Sequence, residues 1–142
     1  MKALPWIITA LVATAVAGVV FVVPALQQRH FREYRHIPDD AKILYYRESG
    51  VRDATRFCIV QHPVGVPPRS NVTHYRPFLP GAVAIMSAVQ RDLRIPDSRM
   101  PDPNKQSVFY SGGSNEASDG MWMYLDVYDS ATSTEWCFEY GY

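Results

Sequence analysis

The sequence predicts an α+β protein: an N-terminal transmembrane helix followed by a small, mainly antiparallel sheet packed on one helix, in the order ββαβββ. Three observations predict it. A long uncharged apolar run precedes the first arginine, one later segment repeats apolar residues at helical spacing, and short runs rich in aromatic and β-branched residues flank that segment. Of the 142 residues, roughly 105 to 110 remain once the apolar run is set aside, enough for a single domain.

No charged residue lies between Lys2 and Arg29, and Ala3 to Leu26 is almost wholly apolar. At ~1.5 Å per residue this run spans about 36 Å, more than the roughly 30 Å of bilayer hydrocarbon. Pro5 falls in a first turn, where its missing N–H costs little, and Pro24 lies near the far end. A cleaved signal peptide is the competing reading, because Lys2, the apolar run and Ala15-Val16-Ala17 imitate a processed leader. Gly18 to Val23 continues the run past that site, which favours a retained, single-pass signal-anchor over residues 1–28. Ala10, Thr14 and Gly18 are spaced by four, with Ala13 and Ala17 on the same side. Such a strip lets two membrane helices approach closely, so self-association or pairing is the alternative to the favoured, plainer reading of ordinary membrane-helix composition.

Residues 29–38 form an expected juxtamembrane helical linker, in which Arg29, His30, Arg32, Arg35 and His36 meet lipid headgroups. Pro38-Asp39-Asp40 breaks that helix and opens a domain over residues 39–142. Two signals bear on its side of the membrane. Arg29, Arg32 and Arg35 after the run, against Lys2 and the terminal amine before it, favour the cytoplasm by a small margin. Cys58 and Cys137 lack C-x-x-C spacing and read as one disulfide, which belongs outside the cytoplasm. The cysteines carry more weight, and an extracytoplasmic domain is expected.

Within the domain, Ala41 to Arg47 and Arg56 to Gln61 read as a hairpin. His62 to Pro80 has no periodicity and holds Pro63, Pro67, Pro68, Pro77 and Pro80, so it reads as a long surface loop. Pro80 suits a first helical position, and Ala82, Ile85, Met86, Val89 and Leu93 recur at helical spacing until Ile95-Pro96. Gln106 to Ser111 reads as a strand, Gly112 to Gly120 as a flexible connection, and Met121 to Tyr128 and Thr134 to Tyr140 as two strands.

A four-residue loop, Ser130 to Ser133, would pair Val127 with Trp136, Leu125 with Phe138 and Met123 with Tyr140. Strand side chains alternate, so this register makes one face apolar. The other face then holds Trp122, Tyr124, Asp126, Tyr128, Glu135, Cys137 and Glu139. If Cys58 lies opposite Cys137, Arg56 should meet Glu135 in a parallel pair or Glu139 in an antiparallel one.

Acids and bases balance at 14 each, so no overall field draws the domain to nucleic acid. No G-x-S-x-G, H-E-x-x-H, P-loop or EF-hand pattern occurs, and no catalytic residue, metal site or cofactor is expected. Arg69, His74, Tyr75, Arg76 and Phe78 in the proline-rich loop mix basic and aromatic groups as contact surfaces do, and Trp122, Tyr124 and Tyr128 offer a second aromatic patch. The expected role is a non-enzymatic protein-interaction or structural module of the cell envelope, held in the membrane, with another envelope protein as partner. The alternative is a small envelope enzyme or ligand-binding domain using His62 or His74 with nearby carboxylates. The layout is similar in outline to type IV pilins, which also carry a late cysteine. Their glycine-ended leader and the glutamate five residues into the helix have no counterpart here, and no family is recognised.

Overall fold

A computed structural model describes residues 4–50, 54–66, 68, 75–117 and 120–141. The chain divides into two compact units, Met1–Pro38 and Asp39–Tyr142. The first is helical: α1 (Leu4–Ala17), a π-helical segment (Gly18–Val22) and α2 (Val23–Tyr34) follow one another without a break. Trp6–Tyr34 is long and apolar enough to cross a membrane, and its apolar side chains from Trp6 to Leu26 are exposed, as a lipid-facing helix requires, whereas Phe31 is buried. The π-helical turn sits just before Pro24, whose ring crowds the carbonyl four residues back and removes a donor. The proline therefore alters the helix upstream of itself, where the sequence alone suggested an undisturbed run.

The second unit is a five-stranded, wholly antiparallel open sheet of order β1-β2-β5-β4-β3. Its strands are β1 (Lys42–Ser49), β2 (Thr55–Gln61), β3 (Val108–Ala117), β4 (Gly120–Asp129) and β5 (Thr134–Gly141), with α3 (Ala82–Leu93) between β2 and β3 in sequence. The expected α+β class and ββαβββ order are the observed ones. The β4–β5 register is also as derived: Val127 faces Trp136, Leu125 faces Phe138 and Met123 faces Tyr140.

On the apolar face, Phe57, Ile59, Leu125, Val127 and Phe138 pack with Ala82, Met86, Val89 and Leu93 of α3. Phe57 and Phe138 stand with ring centroids 5.0 Å apart at the centre of this layer. Helix α3 starts two residues later than the Pro80 signal implied, because Gly81 takes φ 81° as its N-cap, a conformation other residues resist. It ends with Arg94 at φ 52° and a hydrogen bond from Ile95 N–H to the Gln90 carbonyl, which turns Ile95 into the core.

One expectation is corrected. Gly112 to Gly120, read as a flexible connection, instead extends β3 through Ala117 and opens β4 at Gly120. The glycines serve packing: a Cβ on Gly112 would lie 2.7 Å from the Tyr124 carbonyl oxygen, and one on Gly113 would lie 2.8 Å from the Tyr124 hydroxyl. Local glycine content therefore marks a close approach within the sheet.

Asp129 closes the β4–β5 connection. Its buried carboxylate accepts a hydrogen bond from Ala131 N–H at 3.0 Å and faces Lys105 Nζ at 3.6 Å. Burial alone would raise its pKa, but bonds from Ser107, Ala131 and Thr132 and the Lys105 charge outweigh it and hold the carboxyl below its usual range. A depressed folded-state pKa contributes stability above the unfolded value, about 3.9, and loses it as pH falls through the folded value. Asp129→Asn should therefore be less stable than the parent in urea titrations at pH 7, and the gap should close as pH falls below about 4.

Candidate functional site

The sheet's second face is built from the residues that alternate with the core. Register sets them in rows across β1, β2, β5 and β4. Glu48, Arg56, Glu139 and Tyr124 form one row, Tyr46, Cys58, Cys137 and Asp126 the next, and Val60, Glu135 and Tyr128 a third. His62 lies just past the end of β2 and is tied by its backbone N–H to the Ser133 carbonyl. Of these, Cys58, Val60, His62, Asp126, Glu135, Cys137 and Glu139 are buried, so the face is a polar interior layer.

Three networks occupy it. At one end, Arg56 donates to Glu48 and Glu139, both at 3.1 Å, while the Tyr46 hydroxyl donates to Glu48 at 2.6 Å. Burial raises the Tyr46 pKa, and the hydrogen bond and charge of Glu48 raise it further, so Tyr46 remains a donor. Antiparallel pairing thus selects Glu139 as the partner of Arg56.

In the middle row, Cys58 and Cys137 face each other directly across β2 and β5, as expected, yet no disulfide joins them. The predicted disulfide is corrected accordingly. Opposed residues in an antiparallel pair come within about 4.5 to 5.5 Å between Cα atoms, which suffices for reach. A bridge also needs sulfurs at about 2.05 Å and a dihedral near 90°. Here each thiol fills the layer as a separate small buried group. Asp126 flanks Cys137 on the other side, from β4.

At the far end, His62 Nε2 lies 2.8 Å from Glu135 Oε2, with the two side chains 1% and 3% exposed. The Tyr75 hydroxyl donates to Glu135 Oε1 at 2.9 Å. Tyr75 reaches inward because Arg76 bridges to Tyr110 on β3, with N–H to carbonyl bonds of 2.8 and 2.7 Å. Burial, then the negative charges of Glu135 and Asp126, push the Tyr75 pKa strongly upward and keep it protonated. Tyr128 packs beside both, its centroid 5.9 Å from Tyr75 and 6.4 Å from His62.

The binding residues predicted from sequence separate in space. Tyr75 and Tyr128 turn toward the polar layer, whereas Arg76 and Phe78 point to solvent and Tyr124 is 37% exposed. Arg69 and His74 lie outside the described residues, as does the Trp122 side chain, although the Trp122 backbone pairs with Asn115 and Gly141. Sequence reasoning did not single out Asp126 and Glu135 as site residues. Alternation put them on one face with Cys137, but only tertiary packing brings His62 and Tyr75 to Glu135. Comparison with known proteins finds no matching family model, no matching curated protein and no matching solved structure.

Glu139 is almost wholly buried and Arg56 about a quarter exposed. Removing one member of such a pair leaves the other charge poorly compensated. Arg56→Met should lower stability by about 1 to 3 kcal/mol in urea unfolding. The double variant Arg56→Met/Glu139→Gln should recover part of that loss, which a double-mutant cycle measures directly.

Proposed function

We propose that this is a membrane-held, extracytoplasmic, non-enzymatic contact module of the cell envelope, which engages another envelope protein through the segment around Phe78. One observation carries this reading: groups able to do chemistry point inward and are hydrogen-bonded, while groups suited to contact point outward. His62 and Glu135 are buried, whereas Phe78 is 73% exposed between exposed Arg76, Pro77 and Pro80, with Val83 of α3 62% exposed a turn beyond. An exposed aromatic ring beside an arginine is the composition of an interface anchor. The apolar Trp6–Tyr34 helix supports the membrane attachment.

A ligand-binding domain is the second reading, favoured by the convergence of His62 with Glu135 and by Asp126 and Cys137 next to it. It requires access to a layer that Tyr75 helps to close.

For the side of the membrane, the unbridged cysteines give no sign of compartment, and the arginines after the helix lean to the cytoplasm by a small margin. The extracytoplasmic side is the proposal that the labelling below decides.

A photo-crosslinking amino acid at Phe78 should capture one partner protein in intact membranes, and the same probe at Val64, 92% exposed at the other end of the β2–α3 connection, should not. Equal or absent capture at both positions would remove the contact reading. For the side, Ser130→Cys places a thiol at an exposed turn. A membrane-impermeant maleimide should label it in intact cells stripped of any outer barrier; labelling only after permeabilisation would place the domain in the cytoplasm.

A further inference from the structure

We propose that Asp126, Glu135 and Cys137 form a site for a single divalent transition cation of the zinc class, with His62 outside the donor set and in contact with Glu135. One carboxylate oxygen from each acid and the Cys137 sulfur lie within 4.8 Å of one another, and all three residues are buried. A tetrahedral zinc site with bonds of about 2.0 to 2.3 Å sets its donors roughly 3.3 to 3.7 Å apart, so side-chain rotations of about an ångström close the cluster. The donors stand on adjacent strands, Cys137 directly opposite Asp126, which keeps their backbones in fixed relation. A thiolate among carboxylates favours zinc-like cations over magnesium or calcium, which prefer oxygen alone.

His62 is the second, independent observation. Its ring is 1% exposed and presents Nε2 to Glu135 at 2.8 Å, while Nδ1 has no hydrogen-bond partner among the described residues. The ionised carboxylate only accepts, so Nε2 carries the proton toward Glu135 and helps to orient that carboxylate, while Nδ1 is left as a bare, buried lone pair. Tyr75, donating to the other oxygen of Glu135, holds that carboxylate in orientation from outside the donor set. The contact role of Phe78 and this cation site are independent of each other.

The test uses the full chain, purified in detergent under reducing conditions and titrated with Co²⁺ alone. The expected result is about one bound ion per chain with thiolate-to-cobalt charge-transfer absorption. That absorption should vanish in Cys137→Ser and persist in Cys58→Ser. Affinity should fall at least tenfold in Asp126→Asn and Glu135→Gln, with circular dichroism showing each variant folded. Should Cys137→Ser fail to fold, the two carboxylate variants carry the test. Absence of bound cobalt, a band that survives Cys137→Ser or requires Cys58, or binding indifferent to both carboxylates overturns the proposal, the last being an adventitious ion only.

Discussion

Strand β5 lies between β2 and β4 and is antiparallel to both, and its register against each neighbour decides what the two faces of the domain contain. Because side chains alternate, a slip of one residue would carry Glu135, Cys137 and Glu139 into the layer beneath α3 and expel Trp136 and Phe138. Two independent pairings forbid it. The short turn closed by Asp129 sets β5 against β4, and Phe57 against Phe138 with Arg56 against Glu139 sets it against β2. The apolar layer gains from burial, the polar layer only from complete pairing, and both demand the same register.

The polar layer has an energetic logic of its own. Asp126, Glu135 and Glu139 are withdrawn from water, which is costly unless each is met by donors or opposite charge. Arg56 spans two glutamates, and both oxygens of Glu135 are engaged, by His62 and Tyr75. Such a layer contributes little net stability compared with an apolar one, since desolvation offsets most of the attraction. It does make the arrangement directional, since this register is the one that sets Arg56 against Glu139 and brings Glu135 to His62 and Tyr75.

The division between interior chemistry and exterior contact follows from the same geometry. The bridge of Arg76 to Tyr110 fixes the chain beside β3, so neighbouring residues diverge: Tyr75 crosses toward Glu135 while Arg76 and Phe78 remain in solvent. A loop that looks uniformly like a contact surface in sequence thus supplies both a partner for the buried Glu135 and an exposed aromatic ring. The extended apolar helix of the first unit, with its π-helical turn before Pro24, is long and apolar enough to cross a bilayer.

Periodicity by itself determined the apolar helix, the α+β class, α3 and the β4–β5 register, because each depends on spacing along one stretch of chain: Ala82, Met86, Val89 and Leu93 for the helix, Val127 with Trp136 for the hairpin. With Cys58 set opposite Cys137, it left Glu135 and Glu139 as alternative partners of Arg56, and the antiparallel pairing of β2 with β5 decided for Glu139. Tertiary structure decided what spacing cannot encode. Gly112 and Gly113 became strand because Tyr124 occupies the space a side chain would need, and Pro24 reshaped a helix that composition alone left straight. The opposed cysteines are not bridged, because bond formation depends on sulfur geometry beyond strand register. The meeting of His62, Tyr75 and Glu135 joins three segments far apart in the chain, and such contacts are set by how the layers close, for which local sequence carries no periodic signal.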